Sequence, residues 1–126
     1  QGYVYEPTII ADVDESFKIV SEEQFGPALP IVKYKNVDEA VARANDTKYG
    51  LGGSVWGSDF QKAAEIASNL ECGTSWVNQH LAITPITPFG GVKWSGIGRE
   101  NGKWGLQAFL EPHCINVKKT TIKAAL

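Results

Sequence analysis

Asn36-Val37-Asp38-Glu39-Ala40-Val41-Ala42-Arg43-Ala44, followed at a short distance by Gly50-Leu51-Gly52-Gly53-Ser54-Val55-Trp56, decides the fold class. Val37, Ala40, Val41 and Ala44 recur at i, i+3, i+4 and i+7, which places them on one face of a helix. Asn36 precedes that face as an N-cap, and Glu39 stands where a carboxylate reaches back to the free amides of the first turn. The Gly50 to Gly53 segment ends the unit, and Ser54-Val55-Trp56 reads as a short strand. Ser58 then reads as the cap of a second helix, with Gln61 three residues on and Phe60, Ala63, Ala64, Ala67 and Leu70 on its apolar face. Gly73 is expected to supply a left-handed stop, and Thr74-Ser75-Trp76-Val77-Asn78 is the next strand.

Moving outward, Leu29 to Tyr34 is apolar and reads as the strand before the first helix. Strand, helix, strand, helix, strand with tight connections is the pattern of parallel strands joined by crossovers. The chain is therefore expected to be α/β, a three-layer doubly wound fold with a mostly parallel sheet and a C-terminal strand at Cys114 to Lys118. Tyr3-Val4-Tyr5 and Thr8-Ile9-Ile10 flank Pro7 and suggest an edge or irregular strand pair. Asp14 to Ser21 holds room for one helical turn. Gln79 to Glu100 is long, rich in breakers and without a period, the kind of loop that is often functional. Lys103 to Leu110 reads as a short helix weakened by Gly102 and Gly105.

A chain of 126 residues suits one domain, here 1–126, with 111–120 as a candidate oligomerisation strand. Apolar residues at 43%, charged residues at 21% and a net charge of −2 describe an ordinary globular protein. No basic face of the kind that binds nucleic acid is visible, and Lys118, Lys119 and Lys123 read as a solvated tail. No apolar run is long enough for a membrane span. Cys72 and Cys114 are too few and too distant for a disulfide framework, so they are expected as free thiols in a reducing, cytoplasmic setting. The chain begins at Gln1-Gly2 and runs at once into strand-like sequence, as a piece of a longer chain would. The sequon Asn45-Asp46-Thr47 is read as a chance match.

Two further segments carry chemistry. In Ser21-Glu22-Glu23-Gln24-Phe25-Gly26-Pro27, a carboxylate and an aromatic ring stand two residues apart. A carboxylate accepts two hydrogen bonds from neighbouring hydroxyls, the geometry of a ribose diol, and a ring packs against a flat nicotinamide. Taken alone, the segment reads as a solvated acidic pair with Phe25 in the core. Pro88-Phe89-Gly90-Gly91 shifts the weight, because it sets a large ring beside glycines that let a backbone come close. The glycines of Gly96-Ile97-Gly98-Arg99 through Gly102 are spaced one residue off a dinucleotide loop and follow no strand, so they are read as a structural turn.

These segments, together with Gly2-Tyr3 to Pro7-Thr8, Tyr49-Gly50-Leu51, Gly73-Thr74-Ser75-Trp76-Val77-Asn78, Pro88-Phe89-Gly90-Gly91-Val92-Lys93, Ser95-Gly96, Gly98-Arg99-Glu100 and Gly105-Leu106, resemble the NAD(P)-dependent aldehyde dehydrogenase superfamily, in the C-terminal part of its catalytic domain. The resemblance runs to about Lys119. It implies that Glu23 binds the nicotinamide ribose, that Phe25 lies beside the nicotinamide, and that Phe89 lines the aldehyde pocket. It also implies that Gln79 to Thr87 is the variable loop shaping that pocket; His80, within it, is a candidate substrate contact whose surface or packing reading carries more weight. In such enzymes a cysteine thiolate attacks the aldehyde, hydride passes to NAD or NADP, and a glutamate activates water.

The nucleophile and base of the family are expected upstream of residue 1, so no residue here is assigned a catalytic role and this chain alone is expected to be inactive. Cys72 ends an amphipathic helix, and a helix C-terminus disfavours thiolate. Cys114 is read as a small core residue, and Trp76, Trp94 and Trp104 as packing residues. His80 and His113 show no metal spacing. The expected partners are an aldehyde and further copies of the chain, with no nucleic acid and no membrane. The rival reading is a self-associating α/β module without chemistry.

Overall fold

The computed structural model describes residues 2–119. In chain order the elements are β1 (Thr8–Ile10), α1 (Lys18–Ser21), β2 (Ala28–Pro30), α2 (Val37–Asn45) and β3 (Tyr49–Gly50). They continue with β4 (Gly52–Val55), α3 (Phe60–Ala67), β5 (Thr74–Val77), β6 (Val92–Lys93) and α4 (Gly102–Gln107). The class is α/β. β1 pairs parallel with β2, and β4 pairs parallel with β5 in the register Gly52 to Thr74 through Val55 to Val77. Antiparallel β3 and β6 make the remaining ladder, so the described strands form two-stranded pieces instead of one continuous sheet.

Local chemistry explains the helices. Asn36 caps α2 as its sequence position predicts, its side chain accepting from the Glu39 amide at 2.8 Å, and the Glu39 carboxylate accepts from the Lys35 amide at 3.2 Å. α3 is capped by Asp59, not by Ser58. One Asp59 oxygen accepts from the amides of Gln61 and Lys62, both at 3.1 Å, which satisfies two orphan donors at once and leaves Ser58 outside the helix. The helix ends at Ala67 and unwinds through bonds from Asn69 to Ile66 and from Leu70 to Ala67. Gly73 is not the left-handed stop. It permits close approach instead, since a Cβ there would overlap the Gly90 carbonyl.

α3 packs on β4 and β5, and the buried apolar residues among those described are Ala63 and Ala67 on α3 and Trp76 on β5. Of the α3 face read from the sequence, Ala63 and Ala67 are buried and Leu70 is half-buried, while Phe60 and Ala64 are exposed. On α2, Val37, Ala40 and Val41 are half-buried and Ala44 is exposed.

Several expectations are corrected. β2 stops at Pro30 instead of continuing to Tyr34, because its ladder to β1 ends with the bond from the Ile31 amide to the Ile10 carbonyl. Tyr3 to Tyr5 forms no strand and is exposed. Residues 111–119 form no strand, so the expected strand at Cys114 to Lys118 is not present: extended chain becomes a strand only against a partner ladder, and no described residue supplies one. Residue 120 of the expected oligomerisation strand, and Lys123, lie outside the described residues. Cys114 is exposed and not a core residue. Trp94 and Trp104 are likewise exposed, Trp94 under the Lys48 ammonium at 5.4 Å from its ring centre, so only Trp76 packs as expected.

Candidate cofactor and substrate site

Glu23 and Phe25 lie between α1 and β2, on either side of Gln24. The Gln24 amide pins the turn that follows: its nitrogen donates to the Ala28 carbonyl and its oxygen accepts from the Gly26 amide, each at 2.6 Å. Glu23 and Phe25 take no part in that network. The Phe25 ring is 96% exposed, which overturns the reading of it as a core residue. The Glu23 side chain accepts no hydrogen bond from the described residues. It lines a groove of about 360 Å³ together with Gly50 to Ser54, Leu70 to Cys72 and Ser95. A free pair of carboxylate oxygens two residues from an unpacked ring fits a ribose diol followed by a flat nicotinamide.

Phe89 and His80 are brought together by Trp76. The buried Trp76 ring donates from Nε1 to the Ala82 carbonyl at 3.0 Å, which ties β5 to the loop after it. His80 meets that indole edge-on with ring centres 5.3 Å apart, and Phe89 lies tilted at 6.5 Å. Phe89 is held by its backbone as well, exchanging hydrogen bonds with Glu100 at 2.9 and 2.8 Å. Arg99 donates to the Gly91 carbonyl at 2.8 Å and to that of Gly98 at 2.6 Å, closing the turn between them. An aromatic wall of Trp76, Phe89 and His80 is therefore built at the end of β5. Sequence reasoning gave Trp76 only a packing role; its place at the end of a strand leading into the long loop was the available signal.

The structure does not join the two candidate pairs. The groove beside Glu23 contains neither Phe89 nor His80. A larger groove of about 850 Å³, between Glu15, Tyr34, Arg43 and Lys48, contains none of the four residues. Cys72 lines the Glu23 groove, half-buried past the C-terminal end of α3, where its thiol donates to the Thr74 carbonyl at 3.2 Å and lies 3.4 Å from the Ser75 hydroxyl. Among the described residues no cluster of His, Cys, Asp and Glu is arranged to hold a metal, and no helix is long and apolar enough to cross a membrane.

The aldehyde dehydrogenase family model matches residues 1–115. The chain belongs to the aldehyde dehydrogenase family. It is 46% identical over 121 residues to an aldehyde dehydrogenase of Enchytraeus buchholzi, covering 96% of this chain and 24% of that protein. It is 44% identical over 118 residues to aldehyde dehydrogenase 1A1 of Gallus gallus, covering 94% of this chain and 23% of that protein. The chain thus spans about a quarter of the length of these family members. Among solved structures it resembles betaine aldehyde dehydrogenase of Staphylococcus aureus in complex with NAD+, at TM-score 0.82 and 44% identity, covering 86% of this chain and 21% of that one. It resembles equally the Mycobacterium tuberculosis aldehyde dehydrogenase complexed with NAD+, at TM-score 0.82 and 44% identity, covering 92% and 25%. The parallel pairs and crossover helices described above are thus a portion of the aldehyde dehydrogenase α/β fold.

Proposed function

We propose that this chain is the C-terminal part of the catalytic domain of an NAD(P)-dependent aldehyde dehydrogenase, and that the whole enzyme oxidises an aldehyde to a carboxylic acid. The observation that carries this reading is the unengaged Glu23 carboxylate beside the unpacked Phe25 ring, in a chain of this family. In this reading Glu23 accepts from the two hydroxyls of the nicotinamide ribose and fixes its orientation. Phe25 packs against the nicotinamide and excludes water from one side. When bound, NAD or NADP supplies the hydride acceptor. Phe89, with His80 across Trp76, forms the wall that receives the aldehyde chain. The nucleophilic cysteine and the glutamate base belong upstream of residue 1, so the chain by itself is inactive.

The same reading makes the enzyme a homo-oligomer. Ile115 and Val117, 76% and 79% exposed, carry an apolar pattern on a segment with no ladder partner among the described residues, and pairing with another chain satisfies both needs. Two free thiols, Cys72 and Cys114, suit a cytoplasmic location.

The test is Glu23→Gln in the full-length enzyme. Replacing a charged acceptor by a neutral one is expected to cost about 1–3 kcal/mol of cofactor positioning, roughly fivefold to 150-fold. The loss is expected in hydride transfer, read by single-turnover formation of reduced cofactor. Unchanged steady-state and single-turnover rates would remove Glu23 from the site.

A further inference from the structure

We propose that Lys93 is a positioning residue for the substrate wall: clamped by Glu71 and the Asn45 carbonyl, it fixes β6 and thereby the Phe89 ring against Trp76, so that it tunes which aldehydes the enzyme prefers. This rests on the reading of Phe89 as part of the aldehyde pocket.

Lys93 has a φ of 54°, in the left-handed region that a residue with a side chain seldom adopts. Such a conformation persists only where the surroundings over-determine it. Here the Lys93 ammonium lies 2.8 Å from the Glu71 carboxylate and donates to the Asn45 backbone carbonyl at 2.6 Å, with its side chain 25% exposed. The Asn45 side chain completes the clamp. It donates to the Asn69 carbonyl and accepts from the Glu71 amide, both at 2.8 Å, and so binds the end of α2 to the turn after α3. One lysine thereby ties three separate pieces of backbone.

The clamp reaches the ring through a short, crowded path. Only Gly90, Gly91 and Val92 separate Phe89 from Lys93. Val92 is paired with Gly50, and the Gly90 carbonyl fills the space that a side chain on Gly73 would need. A shift of β6 along its ladder therefore pushes Gly90 against Gly73 or pulls it away. Since Gly73 opens into β5 and Trp76 sits within β5, the same shift alters how Phe89 meets Trp76. Packed contacts of this kind do not deform smoothly, so a small displacement changes the shape of the wall.

The experiment uses the full-length enzyme and compares a short and a long alkanal, propanal and octanal, with kcat, KM for each aldehyde, KM for the cofactor and the melting midpoint measured separately. Lys93→Met is expected to change the ratio of kcat/KM between the two aldehydes by roughly threefold to tenfold, the scale of coupling through packed elements, with the cofactor KM unchanged. Lys93→Arg, which keeps the charge, is expected to retain the parental ratio. Phe89→Ala is expected to move the ratio further, and adding Lys93→Met to it should move it no more, because both act through one ring. If Lys93→Met yields no folded enzyme, Glu71→Gln at the largely exposed end of the pair reads the same ratio. A parental ratio in Lys93→Met, or in Glu71→Gln where that stands in for it, with Phe89→Ala still shifting selectivity, would make the clamp a structural staple and overturn this proposal alone. A Phe89→Ala enzyme with parental selectivity would instead overturn the reading of the pocket, and the proposal with it.

Discussion

The unit from α2 to β5 and the segments on either side of it bury their apolar residues very differently. Inside the unit, Ala63 and Ala67 are buried on α3, and Trp76 is buried on β5 against His80 and Phe89 of the loop that follows. Outside it, Tyr3, Phe25, Ile97 and Phe109 are almost fully solvent-exposed. The helices and parallel strands of the unit pair within its own 41 residues, Val37 through Val77, with β3 and Trp76 reaching out to β6 and the loop before it, whereas the flanking segments carry apolar residues that no other described residue covers. Exposed apolar surface on this scale marks a face built to be covered by something else. In the proposed enzyme the cover is the remainder of the catalytic domain and a neighbouring subunit.

The largest expected effect tests that account directly. The isolated 126-residue chain should oxidise no aldehyde, because in the proposed reading its groups orient a cofactor and wall a pocket while the nucleophile lies elsewhere in the enzyme. Its uncovered flanks should make it associate. Purified chain incubated with NAD+ and a panel of aldehydes is expected to form no reduced cofactor, and sedimentation over a concentration series is expected to show dimers or larger species. Reduced cofactor formed at a rate abolished by Cys72→Ser would place the nucleophile in this chain. A monomer of 13.7 kDa at high concentration would show that the flanks close on themselves.

A smaller effect is expected at the seam between the unit and the loop that follows it. Gly73 begins the approach of β5 to Gly90, and a methyl group there would overlap a carbonyl that has little room to retreat. Backbone must move, so Gly73→Ala in the full-length enzyme is expected to cost about 3 kcal/mol, the upper end of ordinary overpacking. Measured as a urea midpoint, that loss should exceed the loss from Gly57→Ala, where the added carbon meets Ala63 and Asp59 at ordinary contact distance. Equal losses would mean that the seam is soft and that the unit is independent of the loop.

The same contrast explains what the amino-acid sequence revealed. α2 and its Asn36 cap were legible because every group involved lies within nine residues of the cap. The order of strands and crossovers was legible for the same reason, as was the family resemblance carried by motifs such as Pro88-Phe89-Gly90-Gly91. Three features were not. The β3–β6 ladder joins Tyr49 and Gly50 to Lys93 and Val92 across the whole of α3 and β5, a pairing no local window contains. Gly73 looked like a helix stop because glycine serves left-handed turns and close approach alike. Ser58 and Asp59 are both good caps, and the choice between them is made by which oxygen reaches two amides. For the candidate site, the residue types were legible at Glu23, Phe25, Phe89 and His80. The role of Trp76 in holding the last two together was not, because an indole in a strand reads as packing until its neighbours are known.

The smallest expected effect concerns one of the few links between the N-terminal flank and the unit. Glu15, just before α1, pairs with Arg43 on α2, and Arg43 also donates to the Lys33 carbonyl at 2.8 Å. The hydrogen bond from Arg43 holds the Glu15 carboxyl below its ordinary range, and the pairing raises Arg43 above its own. The sign follows from proton counting. A carboxyl that is harder to protonate when folded adds stability above its unfolded value, about 4.3, and that contribution is lost as pH falls through the lower folded value. Arg43 keeps its proton throughout this range and adds no slope there. Glu15→Gln should therefore be slightly less stable than the parent near neutral pH, and the difference should shrink in 1 M salt. As pH falls through that lowered folded value the parental Glu15 takes up its proton and the two melting curves should converge. Curves that stay parallel over the same fall in pH would show that this ion pair does not fasten the flank, and would leave the N-terminal segment tied to the unit only by backbone and packing.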